Sequence, residues 1–161
     1  MTRSTLRFLV VMAVTLVGTA SAQAGHYRLP VDNFITQAET DLLAKAGINT
    51  TLALLSEVKT VAQRKRVASV TGLARARVDE LACQADLLRI DGIGPTIVRL
   101  LNAAGVKHSR GLATEAAASL LERMKAANLA QKIANVLPRE GQVAAWVAAA
   151  NKLGLAIEGL P

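Results

Sequence analysis

"RIDGIGPTIVRLLNAAGV", residues 89–106, is the stretch of sequence that decides the fold. It places a Gly-apolar-Gly turn between two segments whose apolar residues have helical spacing. Gly92 and Gly94 can take positive φ, and neither carries a Cβ that would hold a neighbouring group away. Pro95 suits the first position of the second helix, because its missing N–H would have no acceptor there. The stretch therefore predicts two helices joined by a tight hairpin.

The composition of the whole chain favours an all-α fold. Apolar residues make up 52% of the sequence and aromatic residues only 2%. Ala and Leu lead the ranking of helix formers, whereas strands prefer aromatic and β-branched residues. Helical spacing of apolar residues recurs in 35–48, in 50–72 as a short and a longer helix, and in 73–90, 113–128 and 136–153. Thr114 is the predicted N-cap of the helix in 113–128.

The chain also repeats itself. "LLAKAGI" at 42–48 aligns with "LLNAAGV" at 100–106, and "VDELACQADLL" at 78–88 aligns with "VAAWVAAANKL" at 143–153. Each unit reads as a hairpin, a helix, a glycine turn, two further helices and a long closing helix. We therefore predict two units, at about 35–88 and 89–153, packed as one compact helical domain because neither alone buries enough surface. Residues 25–34 would form a lead-in segment and residues 154–161 a loose tail.

Residues 1–24 have the order of regions typical of a secretory signal peptide. Two arginines open the segment, an apolar run of 13 residues follows at 8–20, and small residues lead to Ala22 and Ala24. A membrane span would need about 20 apolar residues. We interpret the segment as a signal cut after Ala22 or Ala24, which predicts export to the periplasm or beyond the cell and no membrane span in the mature chain. The alternatives are an uncleaved anchor and a buried N-terminal helix.

The chain is basic, and its single cysteine cannot form an internal disulfide. The formal net charge of +7 would fall to +5 without the two arginines of the signal, which still permits attraction to phosphate or acidic surfaces. The basic stretch Gln63–Arg66 is interpreted as a solvated helix face or as a docking patch for an acidic partner or a lipid surface. Cys83 is interpreted as a small buried apolar residue on a helix.

The hairpin has the residues needed to hold a phosphate. The amides of Gly92 and Gly94, with those of the next helical turn at Thr96, can point outward together, and a helix N-terminus adds partial positive charge. Ile93 would turn inward and lock the two helices. The basic side chains predicted to assist are Arg89, Arg99 and Lys107.

The alternative is that Gly-Ile-Gly serves only as a tight turn between helices. Asp91 stands immediately before the turn, and its charge would repel phosphate. The matching segment of the first unit, Asn33–Thr36, contains no glycine. A pair of hairpins gripping one duplex is therefore not expected.

No pattern in the sequence points to catalysis, a metal or a cofactor. His26 and His108 are far apart, and neither stands beside a second ligand at metal spacing. We interpret His108 as a solvent-facing loop residue and Trp146 as a core residue of the closing helix. Asp86 and Arg89, three residues apart on a predicted helix, suit an ion pair. We predict no catalytic residues, no metal ligands and no cofactor.

The stretch "ADLLRIDGIGPTIVRLLNAAGV", Ala85–Val106, resembles a family of bacterial helical proteins known as domain of unknown function number 4332. The resemblance extends from "LLAKAGI" to "LPREGQVAAWVAAANKL". It implies a compact tandem helix-hairpin-helix fold with no established activity. Related helix-hairpin-helix proteins bind DNA, among them exported proteins that capture incoming DNA, which is an analogy of fold only.

Three classes of function follow from these patterns. The first is an exported, non-enzymatic helical interaction module that binds a protein partner or an envelope assembly. The second is sequence-independent binding of the duplex DNA backbone through the Gly92–Gly94 hairpin. The third is an envelope enzyme acting through His108 or Asp91.

Overall fold

The part of the chain that the computed structural model describes consists of α-helices joined by short connections. It comprises residues 26–31, 34–154 and 156–159, so the predicted signal peptide lies outside it. These residues form eight helices and no strand, which confirms the all-α prediction. In chain order they are α1 (Gln37–Ala44), α2 (Thr51–Glu57), α3 (Val61–Thr71), α4 (Arg75–Leu87), α5 (Pro95–Ala103), α6 (Ser109–Ala113), α7 (Ala117–Gln131) and α8 (Glu140–Lys152).

The first three helices begin at threonine caps. The hydroxyl oxygens of Thr36, Thr50 and Thr60 each accept a hydrogen bond from the backbone N–H three residues further on. Such a bond satisfies one of the donors that the first helical turn leaves without an acceptor. At Thr36 and Thr60 the side chains of Glu39 and Gln63 return a second bond to the cap backbone, completing capping boxes. Local sequence thus fixes where these helices start.

The helix pairs that pack in the second half of the chain have counterparts in the first half, which adds a contact between α2 and α3. In the first half α4 contacts α2 and α3, and α3 contacts α1. In the second half α8 contacts α6 and α7, and α7 contacts α5. Contacts between α4 and α6 join the halves, and one cluster of buried apolar side chains runs through both. The core is therefore shared.

The segment between α5 and α7 differs from the sequence-based prediction. It contains the short helix α6, whose N-cap is His108: the imidazole Nδ1 accepts a hydrogen bond from the Gly111 N–H at 3.0 Å. His108 is therefore a half-buried cap, and its prediction as a solvent-facing loop residue is wrong. Thr114 is the C-cap of α6, whereas α7 follows Ala116, so the predicted N-cap role of Thr114 is also wrong. Histidine is not among the preferred caps, and five residues are too few for a helical period to show.

The C-terminal residues are packed, in contrast to the predicted loose tail. Ile157 is only 5% exposed and joins the core. The Glu158 N–H donates to the Lys59 carbonyl at 2.7 Å, and the Arg64 guanidinium donates to the Glu158 carbonyl at 2.7 Å. Residues 156–159, here named the C-terminal strap, therefore tie the end of the second half to the α2–α3 turn of the first.

Arg64 holds the strap from inside the protein. Its side chain is 1% exposed, and it also donates to Asp79 at 2.6 Å and to the Val58 carbonyl at 2.9 Å. The interpretation of residues 63–66 as a solvated face is therefore wrong for Arg64, which lies on the inward side of α3. Arg66 is 56% exposed and pairs with Glu57.

The lead-in segment packs against the start of α2. The Tyr27 N–H donates to the Thr51 hydroxyl at 2.9 Å, and the Thr51 N–H donates to the Tyr27 carbonyl at 2.9 Å. Val31 and Phe34 are buried in the core. These contacts bring Tyr27 to the hairpin described next.

Candidate functional site: the Gly92–Gly94 hairpin

The hairpin joins α4 to α5 through a turn anchored by Ile93. The Ile93 side chain is 2% exposed, and its N–H donates to the Ile90 carbonyl at 3.0 Å. Its inward orientation confirms the sequence-based prediction. Gly92 has φ +78, a left-handed conformation that side chains with a Cβ rarely adopt. Gly94 is extended at φ −97, so positive φ is required at only one of the two glycines.

The space left by the missing glycine side chains is taken by residues of this protein. A Cβ on Gly92 would lie 3.1 Å from Trp146 Nε1, and a Cβ on Gly94 would lie 3.3 Å from the Tyr27 hydroxyl oxygen. Trp146 comes from α8 and is 6% exposed, as predicted for a core residue. Both glycines therefore allow a close approach of aromatic side chains, and each aromatic brings a polar group to the hairpin.

The start of α5 presents open backbone donors beside these aromatic side chains. Its N-cap, Gly94, has no side chain with which to cap the helix, and Pro95 has no N–H. The amides of Thr96 and Ile97 lie in the first turn, where a helix provides no acceptor. Thr96 is exposed. The hairpin can therefore offer donors to one small anionic group, in the manner of other helix N-termini.

The structure brings only some of the predicted basic side chains to this place. Arg89 pairs with Asp86 at 2.8 Å and donates to the Gly154 carbonyl at 3.2 Å, which confirms the predicted ion pair and commits Arg89 to internal contacts. Arg99 lies on α5, one turn beyond Thr96. Lys107 follows the far end of α5, about 13 Å along the helix from the hairpin. Asp91 is exposed at the turn itself.

A buried polar cluster below the hairpin escaped the sequence analysis. The Asp86 carboxylate is 4% exposed and accepts hydrogen bonds from the Ser109 N–H at 3.0 Å and from the Ser109 hydroxyl at 2.5 Å. The Ser109 hydroxyl thus faces a carboxylate, and the nearby His108 Nδ1 is used as a helix cap. The cluster fixes α6 against α4. The Asp86–Arg89 spacing indicated the ion pair, but no local signal indicated Ser109.

Cys83 and the histidines show no arrangement for nucleophilic or metal chemistry in the described part of the chain. Burial and the charge of Asp86 raise the pKa of the half-buried Cys83 thiol to about 11, which disfavours the reactive thiolate. Residues 26–31, 34–154 and 156–159 contain no group of three metal-ligating side chains. Within the same ranges, no helix has the length and apolar character to cross a membrane.

Comparison with known proteins places the chain in a family. No curated protein and no solved structure matches the sequence. A protein-family model described as "Domain of unknown function (DUF4332)" matches residues 33–153, which include all eight helices described above. The chain therefore belongs to the DUF4332 family.

Proposed function

We propose that the protein is an exported, non-enzymatic helical interaction module that binds a protein partner through the turn between α7 and α8. The observation that carries this proposal is the exposure of two large apolar side chains: Leu129, near the end of α7, is 85% exposed, and Val136, in the connection to α8, is 81% exposed. With the half-buried Ile133 and Leu137, they form what is here named the α7–α8 surface. Burying each such side chain against a partner contributes about 1.5–3 kcal/mol.

The α7–α8 surface rests on an ordered connection. The Asn128 side chain donates to the Ala134 carbonyl at 2.9 Å and accepts from the Ala134 N–H at 2.7 Å. These two bonds fix the chain between Leu129 and Ile133, and Val136 follows two residues after Ala134. A fixed surface loses little conformational entropy on binding, which favours association.

The proposal includes a tandem helix-hairpin-helix architecture, in which α1–α4 and α5–α8 are repeats. The matching order of helix contacts in the two halves supports it. So does the position of the left-handed residues Gly72 and Lys132, which end α3 and α7 at φ 76 and φ 50. The connection after α3 is Gly72–Ala74, whereas the one after α7 is Lys132–Arg139. The connection that carries Ile133, Val136 and Leu137 is thus longer than its counterpart in the first half.

Export and the lack of enzymatic activity are part of the same proposal. The order of charged, apolar and small residues in 1–24 supports a signal peptide and a periplasmic or extracellular location. The commitment of Ser109, His108 and Asp86 to structural hydrogen bonds supports a non-enzymatic role.

Photo-crosslinking in the producing bacterium tests the proposed binding. A photoreactive amino acid replaces Val136 in the full-length chain, and the matched control carries it at Val70, which is 46% exposed on α3. We expect a discrete adduct from position 136, its loss on Leu129→Ser, and no equivalent adduct from position 70. Equal adducts from both positions, or none from position 136, would contradict the proposal.

Binding of the DNA backbone is the second candidate, and one difference between the halves favours it. Thr36 and Glu39 fill the N-terminus of α1 with their own oxygens, whereas the N-terminus of α5 is uncapped. In addition, Arg99 and Lys107 take part in none of the ion pairs among the described residues. An anion such as a phosphate would find its donors at α5 and not at α1.

A titration with a labelled duplex at two salt concentrations tests this second candidate. Binding through the hairpin should fall steeply with salt, because neutralised phosphates release counterions. It should be lost in the Gly92→Ala/Gly94→Ala variant. Gly47→Ala is the control for backbone strain, since Gly47 has φ +74 and its Cβ would meet nothing within 4 Å. Equal loss in the control, or no binding at low salt, removes this candidate.

A further inference from the structure

A cavity lies where α6 and the C-terminal ends of α4 and α8 meet Gly154 and the strap. Its volume is about 300 Å³, and its lining includes Asp86, Arg110, Asn151 and Ile157. That volume is at the lower end of the range for ligand pockets, about 300–1,000 Å³. The cavity is distinct from the Gly92–Gly94 hairpin and from the α7–α8 surface.

The negative charge in the lining is already balanced. Asp86 accepts hydrogen bonds from the Ser109 N–H, the Ser109 hydroxyl and the Arg89 guanidinium. Its charge is neutralised by the ion pair with Arg89 at 2.8 Å. A bound cation would therefore compete with Arg89 for an occupied carboxylate.

Two donors in the lining remain available. Arg110 is exposed, and the ion pairs among the described residues do not include it. His108 uses Nδ1 to accept from Gly111, so the neutral ring carries its proton on Nε2, where it can donate. A guanidinium and an imidazole N–H together favour an anionic acceptor, and the planar guanidinium matches a carboxylate.

Part of the remaining wall is apolar. Ala113 comes from α6, Ala150 from α8 and Ile157 from the strap. One hydrogen bond from Arg64 to the Glu158 carbonyl fixes the strap. Two hydrogen bonds from Arg89 to the Gly154 carbonyl fix the residue at the end of the α8 segment. The wall is therefore preformed, and a short apolar chain could lie against it.

We propose that this cavity binds a small organic acid, with its carboxylate at Arg110 and His108 and a short aliphatic chain against Ala113, Ala150 and Ile157. The ligand class follows from the two unused donors and the apolar wall. The site does not depend on the proposed partner surface.

Amide NMR spectra of the full-length, isotope-labelled protein, titrated with hexanoate, provide the test. Hexanol and hexylamine serve as probes with the same chain and a different head group. We expect saturable shifts from hexanoate at the amides of Ser109, Gly111 and Ala156, and weaker binding of both other probes. Tighter binding of hexylamine would overturn the proposed carboxylate site. So would the absence of saturable shifts with hexanoate.

Two variants and one matched control locate the binding. Arg110→Gln should lower the affinity for hexanoate at least about tenfold, since it removes a charge-assisted hydrogen bond donated by an exposed side chain. Ala113→Leu should fill the space beside the apolar wall and lower the affinity for both hexanoate and hexanol. Arg139→Gln is the control, because Arg139 is an exposed arginine at the opposite end of α8. Equal effects of Arg110→Gln and Arg139→Gln would show a nonspecific charge effect and overturn the assignment to this cavity.

Discussion

The first half of the molecule, α1–α4, and the second half, α5–α8, begin with the same buried anchor and different helix starts. Ile35 is 1% exposed and Ile93 is 2% exposed, each just before the first helix of its half. In the first half the next residue is Thr36, which completes a capping box with Glu39. In the second half the next residue is Gly94, which has no side chain with which to cap α5. The comparison teaches that the anchor maintains the fold, whereas the capping position determines whether a helix start is open to a ligand.

The halves also differ inside their third helices. Arg64 in α3 and Met124 in α7 are both fully buried, and each lies eight residues before the left-handed residue that ends its helix. Met124 needs only apolar neighbours, whereas Arg64 must find acceptors for its guanidinium. It finds them in Asp79, the α2–α3 turn and the strap. The first half therefore depends on the C-terminal end of the chain for its own interior.

The largest expected effect comes from Trp146, the aromatic side chain that covers Gly92 in the Gly92–Gly94 hairpin. Trp146→Ala should lower the free energy of unfolding by about 3–5 kcal/mol, because it leaves a cavity between α8 and Gly92. Chemical denaturation of the wild type and the variant measures it. Trp146→Phe, which keeps most of the volume, should lose clearly less. Equal losses would mean that the indole volume does not support the hairpin.

The second effect concerns the buried arginine of the first half. Arg64→Met, which copies the residue in α7, should lower the free energy of unfolding by about 2–4 kcal/mol, because the carbonyls of Val58 and Glu158 lose their donors. Hydrogen exchange should also show faster exchange at the strap. Arg66→Met, at an exposed ion pair, should change stability by less than about 1 kcal/mol. An unchanged free energy of unfolding for Arg64→Met would contradict the dependence of the first half on the strap.

The third effect isolates the difference in capping. Thr36→Ala should lower the free energy of unfolding by about 1 kcal/mol, since the Glu39 N–H loses its acceptor. Thermal unfolding of the wild type and the variant provides the measurement. Ser56→Ala, which removes an exposed hydroxyl from the end of α2, is the matched control and should be close to neutral. An unchanged midpoint of thermal unfolding for Thr36→Ala would contradict the view that capping distinguishes the two halves.

The smallest effect is a dependence on pH in the first half. The hydrogen bond from Arg77 lowers the pKa of Glu39 below its usual value of 4.5. A lowered folded-state pKa contributes stability that is present above pH 4.5 and is lost as the pH falls through the folded-state value. Denaturation between pH 6 and pH 3 should therefore show a decline that is shallower in Arg77→Met. A parallel decline in both proteins would exclude this ion pair as its source.

Much of the fold is predictable from local sequence, because its signals are local. Helical spacing and the glycine stops predict seven of the eight described helices, and the Gly-apolar-Gly pattern predicts the inward turn of Ile93. Spacing along one helix also predicts the Asp86–Arg89 pair. These features depend on residues a few positions apart.

The features that the sequence does not predict depend on distant contacts. The local sequence predicts that Arg64 belongs to a charged, solvated helix face. One of its acceptors, the Glu158 carbonyl, lies in the strap, more than ninety residues later in the chain. The approach of Trp146 and Tyr27 to the two glycines likewise joins three remote segments. The exposure of Leu129 and Val136 depends on how the helices pack, because leucine and valine in a sequence are normally predicted to be buried.

The most direct test of the proposed partner surface compares two double variants in extracts of the cells that produce the protein. Leu129→Ser/Val136→Ser alters the α7–α8 surface, and Leu52→Ser/Val70→Ser alters exposed apolar residues of the first half. Native size-exclusion of the tagged full-length chain measures its association. We predict that the wild type and the first-half variant elute in a larger complex, whereas the α7–α8 variant elutes as the free chain. Elution of all three proteins as the free chain, or of all three in the same complex, would contradict the account.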